Sequence, residues 1–351
     1  MDEIREIDGS ELEGGGQILR IALTMSVLKK IPIRVSNIRG GRTKAGLLEQ
    51  HLKGVELMRD LANANVKGAS FQSTVIDFYP KFLKGGNFKA LVKTAGSITL
   101  LLQVALPCCL FAETDSKLEL YGGTNTEMAP QIDYATEVFR PNLEKFGATF
   151  DLDLIRRGYF PKGGGQVSIN IRPVKKLNPV ILIDQGDVKS VHGWAFVAGT
   201  LPIRMTSQMA DGAKGVLKCI SKNIDIETYK EDRDIAPDNG AGIILVAETS
   251  TGCVLGSSAL VKRGEQALDA GQRAAESLLK SIRDGACVDE YCQDQVIVLM
   301  ALANGTSKIR VGEVTLHTKT AIHIIEKLDT SSKFNIIPDG QSNIIECIKT
   351  N

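Results

Sequence analysis

The sequence has no C-x-x-C pair, no apolar run long enough to cross a bilayer and almost no surplus of charge. Each absence removes a class of protein. The seven cysteines, Cys108, Cys109, Cys219, Cys253, Cys287, Cys292 and Cys347, are odd in number and two are adjacent, which suits a reduced set rather than a disulfide framework or a zinc site. The longest apolar run, Ile98 to Ala112, is 15 residues and contains Gln103 and Pro107, so it reads as a buried helix and no membrane partner is expected. The opening Met-Asp-Glu-Ile-Arg-Glu lacks a basic region followed by an apolar core, so no signal peptide and an intracellular setting, cytosolic or nuclear, are expected. A net charge of +1 argues against a broad basic face for wrapping duplex nucleic acid, yet leaves room for a local cluster around one phosphate. No Ser–His–Asp triad is readable.

What is present is a repeat. At 351 residues, 43% hydrophobic and 24% charged, the chain fits a large globular domain with a smaller companion. Gly-Gly-Gly-Gln at 14–17 leads into Ile18, Ile21, Ala22, Met25 and Leu28 at helical spacing. A strand, Ile31 to Ile38, a polar turn, Arg39 to Gly46, and a second helix with Leu47, Leu48, Leu52, Val55, Leu57 and Met58 follow, then a strand pair within Val66 to Tyr79. The order recurs with a helix from Gly96, a strand at Leu118 to Tyr121, a turn at Gly122 to Pro130 and a helix from Ile132 to Phe146. A third copy has a helix at Asp294 to Ala303, a strand at Lys308 to Val311 and a helix at Thr318 to Leu328. Gly41-Arg42-Thr43-Lys44-Ala45 can be laid over Leu316-His317-Thr318-Lys319-Thr320. The segment between copies two and three has its own alternation: a strand near Val188 to Phe196, a helix from Thr206 to Ser221, a strand from Gly242 to Glu248 and a helix from Gly264 to Ile282. The expected fold is α/β (α+β), with three βα-type repeats forming a large domain and a smaller α/β domain inserted. Residues 1–183 would hold repeats one and two, 184–286 the insert and 287–351 repeat three.

Equivalent turns of a pseudo-threefold fold can face one cleft. The polar residues that such a cleft would gather are Glu13, Gln17 and Arg20, the loop Arg39, Arg42 and Lys44, then Gln50, Gln103, Asp294, Gln295 and His317. Core helices seldom carry Gln or Arg among Leu and Val without a partner. His317 falls where a strand gives way to a helix, among unpaired N–H groups at the positive end of the dipole. That place disfavours imidazolium and attracts phosphate. Glu13-Gly-Gly-Gly-Gln17 lacks the Gly-Lys-Ser/Thr ending of a Walker A loop and does not match G-x-G-x-x-G; it is either an anion-approaching backbone or a tight turn. Arg39, Arg42 and Lys44 suit a phosphate or a solvated loop, and Glu13 a hard cation or an ion pair with Arg20. His51 and His323, within helices, and His192, in a strand, read as surface or packing residues, and Asp232 to Asp238 as a charged loop.

Several stretches together resemble the RNA 3′-terminal phosphate cyclase family: Glu13-Gly-Gly-Gly-Gln-Ile-Leu-Arg20, Ile38 to Leu52, Ala95 to Pro107, Gly158-Tyr-Phe-Pro-Lys-Gly-Gly-Gly165, Asp294-Gln295 and Leu316-His-Thr-Lys-Thr-Ala-Ile322. The likeness spans essentially the whole chain and implies the same repeat-plus-insert fold. It further implies an ATP-dependent enzyme that converts an RNA 3′-phosphate to a 2′,3′-cyclic phosphate. His317 would be the nucleophile that takes AMP from ATP, and the adenylate would pass to the RNA end as RNA-ppA before ring closure releases AMP. Glu13 would hold Mg2+ or Mn2+. Arg20, Gln50, Gln103, Pro130, Asp294 and Gln295 would bind the nucleotide, and Arg39 and Arg42 phosphates of the RNA end. Eukaryotic members imply nuclear residence, in the nucleoplasm, with the cytoplasm as a second location. A non-catalytic branch, a ribosome-biogenesis factor that binds assembly proteins, lacks the nucleophilic histidine and much of the basic cluster. His317, Arg39 and Arg42 favour the enzyme branch here. Enolpyruvyl transferases, built from related βα repeats, are a more remote likeness.

Overall fold

A computed structural model describes residues 3–349 and contains four four-stranded sheets. The first runs through β1 (Arg5–Asp8), α1 (Gly16–Lys29), β2 (Ile33–Ser36), α2 (Glu49–Leu61), β3 (Asn65–Lys67) and β4 (Ile76–Tyr79), with strand order β1-β2-β4-β3. β1 and β2 are parallel and the other pairs antiparallel. The second repeats this plan with β5 (Gly86–Leu91), α3 (Ile98–Cys109), β6 (Ser116–Gly122), α4, β7 (Phe150–Arg156) and β8 (Gly165–Ile171), in the order β5-β6-β8-β7. α4 joins Ile132–Tyr134 to Arg140–Lys145 through a π-helical stretch, Ala135–Phe139.

The third copy opens with β9 (Ile181–Leu182) and is then interrupted by β10 (Val188–Ala198), α5 (Arg204–Leu217), β11 (Ile224–Lys230), β12 (Gly240–Thr249), β13 (Val254–Leu260) and α6 (Ala267–Arg283). It resumes with α7 (Gln293–Leu302), β14 (Ser307–Val311), α8 (Leu316–Leu328), β15 (Ser332–Asp339) and β16 (Ser342–Lys349). Its sheet order, β9-β14-β16-β15, again has one parallel pair followed by antiparallel ones. The repeating unit is therefore βαβαββ, larger than the helix–strand–helix core visible in the sequence.

The helices behave as their composition demands. α1 and α3 are apolar nearly all round and are buried along most of their length, whereas α6 is strongly two-sided, with Ala267, Ala270, Ala274, Leu278 and Leu279 on its buried face. The inserted sheet has strand order β11-β10-β12-β13. In β12, Ile243, Leu245 and Ala247 point into a core shared with α5 and α6, while Ile244 and Val246 join the main core. A strand covered on both faces reads as a continuous apolar run, and Gly-Ile-Ile-Leu-Val-Ala is one. Among the described residues no helix is long and apolar enough to cross a membrane.

The helix starts correct the overlay of turns. α8 begins at Leu316, α2 at Glu49 and α4 at Ile132, so His317 is equivalent to Gln50 and Asp133, each the second residue of its helix. Arg42 lies earlier, in the loop before α2, because that loop is longer than its counterpart before α8. By the same count the first helices bring Gln17, Thr99 and Asp294 into correspondence.

Candidate active site

The start of α8 is pinned before His317 is placed. Thr315 caps the helix by accepting the Thr318 N–H at 3.1 Å, and the Thr318 hydroxyl donates to Gln293 Oε1 at 3.0 Å, tying α8 to the first residue of α7. His317, in that first turn, is exposed on one side and on the other has its Nδ1 2.5 Å from Gln17 Oε1. Gln17, buried in the first turn of α1, gives its amide to Asp294 Oδ2 at 2.6 Å. An ionised Asp294 can only accept, so the Gln17 NH2 faces it and the amide oxygen faces the imidazole. In the neutral ring Nδ1 then carries the proton, and Nε2 keeps its lone pair. Burial raises the Asp294 carboxyl above the usual range, while the neighbouring His317 and Arg20 work against that rise. Desolvation likewise lowers the Arg20 guanidinium, opposed by Asp294 and Glu13.

His317 and Asp294 open onto a cavity of about 410 Å3. Its walls come from all three repeats and from the insert: Arg20 of α1, Leu100 and Gln103 of α3, the loop Thr126 to Gln131, Tyr134 of α4, Glu290 and Tyr291 before α7, and Ser258, Ala259, Leu260, Lys262 and Arg273. Tyr134 and Tyr291 meet edge to face at 6.2 Å. Behind them Asp289 gathers four bonds. Its Oδ1 accepts from the Tyr134 hydroxyl at 2.5 Å and from the N–H groups of Tyr291 at 2.9 Å and Cys292 at 3.1 Å; its Oδ2 accepts from Gly256 N of β13 at 2.8 Å. One buried carboxylate thus fixes the second repeat, the third repeat and the insert around the cavity. Burial drives its pKa up to about 6, with those hydrogen bonds pulling the other way.

The predicted residues divide. Arg20, Gln103, Pro130, Asp294 and His317 line this cavity together. Gln50 instead accepts the Ser97 N–H at 2.6 Å and lines a neighbouring cavity of about 310 Å3 that shares Leu100 and residues 126–129 with the first. Gln295 donates to Tyr291 O at 2.8 Å and borders a small void of about 30 Å3 with Gln17, Arg20 and Asp294. Glu13 pairs with Arg42 and not with Arg20, and it also accepts the Gly15 N–H at 2.8 Å. Arg39 turns its guanidinium onto the carbonyls of Lys44 and Gly46 in its own loop. His51 packs beside Arg20 with a buried Nδ1 that has no hydrogen-bond partner among the described residues; desolvation and the charges of Arg39 and Arg20 push its pKa down to about 3. His323 pairs with Glu11 at 2.8 Å. Among the described residues no group of three or more His, Cys, Asp or Glu could hold a metal by itself.

Gln17 stands in the relay although the resemblance gave it no role, and Tyr134, Tyr291 and the β13 wall were not anticipated. Tyr291 lies just ahead of Asp294-Gln295, so a search outward from that pair reaches it. Tyr134 looks like one more apolar helix residue, and Ser257-Ser258-Ala259 carries little strand signal.

A model of the family described as RNA 3′-terminal phosphate cyclase matches residues 11–336. A Drosophila melanogaster protein named RNA 3′-terminal phosphate cyclase is 42% identical over 350 residues, covering 99% of this chain and 96% of its own length. A protein of the same name from Staphylothermus marinus is 39% identical, over 98% of this chain and 97% of its own length. One from Dictyostelium discoideum, named a probable RNA 3′-terminal phosphate cyclase, is 38% identical over 97% of this chain and 82% of its own. By that match and those identities, the chain belongs to the RNA 3′-terminal phosphate cyclase family.

Proposed function

We propose that this protein is an ATP-dependent RNA 3′-terminal phosphate cyclase working through a histidine–AMP intermediate. The observation that carries the reading is the His317–Gln17–Asp294 relay opening onto a cavity walled by every part of the chain. Nε2 of His317 attacks the α-phosphorus of ATP, the bond to the β-phosphate oxygen breaks, and pyrophosphate leaves. The ring becomes cationic in the intermediate, and its Nδ1–H stays on Gln17, whose amide is in turn held by the Asp294 carboxylate. An oxygen of the RNA 3′-phosphate then displaces the ring and forms RNA-ppA. The neighbouring 2′-hydroxyl closes on the 3′-phosphorus, loses its proton and expels AMP. That last step is intramolecular, so positioning does most of the catalysis.

The cavity suits the nucleotide. Pro130, Leu260 and the half-exposed Tyr291 offer apolar faces to a base, while Arg20 and Lys262 bring positive charge for phosphates. Arg39 and Arg42 lie in the loop before α2, where Arg42 is released for a phosphate once its pairing with Glu13 opens. A single carboxylate fits a Mg2+ or Mn2+ carried in by phosphate oxygens and water better than a metal held by the protein alone. Glu13 is the residue that would hold it, and such an ion would neutralise charge on the triphosphate. Incubation of a 3′-phosphorylated RNA oligonucleotide with the protein, ATP and Mg2+ should turn the terminal phosphate resistant to phosphatase. A terminus that stays fully sensitive would overturn the assignment.

A further inference from the structure

The turn Gly158-Tyr-Phe-Pro-Lys-Gly-Gly-Gly165 contributes no residue to the wall of the His317 cavity, yet it is rigidly built. Gly158 O accepts the N–H groups of Thr124 at 2.9 Å and Asn125 at 3.3 Å, and Gly163 N donates to Tyr159 O at 2.8 Å. The Tyr159 ring is buried and stacks on Phe196 at 6.1 Å with 21° between planes. Gly163 has φ +71°, and a Cβ there would stand 2.4 Å from Thr94 O, so only glycine lets the turn close on the 94–95 segment. Next to this anchor, Phe160 is 74% exposed. A phenyl ring held in water forgoes about 2–3 kcal/mol of burial, and a rigid turn that keeps it there points to a partner.

Phe160 lines the 310 Å3 cavity together with Gln50, Ser97 and Leu100, and Leu100 and residues 126–129 also line the cavity that holds His317. Met128, 91% exposed, lines the same cavity from the shared loop. Two apolar side chains are far too little for a stable protein interface, which needs about 800 Å2 per partner. They are enough for one base. We propose that Phe160 is the stacking platform for the 3′-terminal base of a single-stranded RNA, delivering its phosphate past Gln50 to the His317 cavity. The inference rests on the cyclase reading for the identity of its ligand. Stacking uses a π face that every base has, so the subsite would be tolerant of sequence.

The test is equilibrium binding, without ATP, of a 3′-phosphorylated oligonucleotide carrying 2-aminopurine as its last base. Wild type should quench that fluorophore. Phe160→Ala and Phe160→Leu should both lose the quench and weaken binding about tenfold or more, within the range known for base–aromatic stacking. Phe160→Tyr should stay within about twofold of wild type, because it keeps the ring. Equal affinity and equal quench in Phe160→Ala would overturn the proposal, as would full retention in Phe160→Leu. Labelling of the protein from ATP uses no RNA and separates the two readings. Phe160-dependent binding by a protein that never takes label leaves the platform standing and removes the cyclase mechanism. Normal labelling with Phe160-independent binding does the reverse.

Discussion

Asp133 and His317 hold the same place in two copies of one fold, yet their neighbours treat them oppositely. Asp133 is buried and saturated: Arg157 reaches its two oxygens at 2.6 and 2.8 Å, Asn125 adds a bond at 3.2 Å, and the same guanidinium extends to Glu231 of β11's trailing loop at 2.8 Å. Among the described residues His317 has one polar partner, on one ring nitrogen, and turns the rest of the ring toward a cavity. Gln50, the third equivalent, spends its oxygen on Ser97 N and lies between these extremes. A threefold fold produces three similar seams, and filling one position with a bidentate ion pair makes a joint. Filling another with an imidazole bonded at one nitrogen leaves the rest of the ring facing a cavity, as the proposed mechanism requires. The two outcomes require different partners rather than different backbones.

Four substitutions probe that contrast, in falling order of effect. Arg157→Ala should cost about 3–5 kcal/mol in denaturant unfolding, because it strands Asp133 and Glu231 without their countercharge; a loss below 1 kcal/mol would mean the joint holds little. Asp289 should show itself through pH. Its folded value near 6 lies above the ordinary 3.8, so the folded chain binds its proton more tightly than the unfolded one. Its contribution to stability is therefore full below about pH 4 and is lost as pH rises through 6, by up to about 3 kcal/mol. Urea midpoints of wild type and Asp289→Asn should converge or cross in the matching direction across that window, and parallel curves would contradict it. Gln17→Ala should slow protein adenylylation about 10- to 100-fold with the KM for ATP nearly constant, as expected when a group that orients a reactive ring is removed. A rise in KM with unchanged rate would place Gln17 in binding instead. Lys162→Ala breaks an ion pair with Asp238 at 2.6 Å in which the lysine is 73% exposed, and stability should move by no more than about 0.5 kcal/mol.

The fold was legible where periodicity was strong. The paired helices of each repeat and the β12 run follow directly from apolar spacing. β1 shows one buried residue, Ile7, and β9 is two residues long, so neither carries a pattern to read. β7, Phe-Asp-Leu-Asp-Leu-Ile-Arg, alternates plainly and could have been assigned from sequence. Alignment of the turns misled because loop length before the second helix varies between copies, and only the helix starts reveal that Gln50 is the counterpart of His317. Among the residues lining the cavity, those of unusual type for their setting stand out in the sequence: Arg20 and Gln103 inside apolar helices, and His317 at a helix start. Tyr134, Tyr291 and β13 stayed hidden because an aromatic or a serine in such places is ordinary, and only the packing of the insert against the repeats turns them toward one cavity.

The most direct test of the account is transfer of label from α-labelled ATP to the protein in the presence of Mg2+ and the absence of RNA. Wild type should acquire one acid-labile AMP, located at His317, and His317→Ala should acquire none. Unlabelled wild-type protein, or equal labelling of the variant, would contradict the claim that this imidazole is the nucleophile.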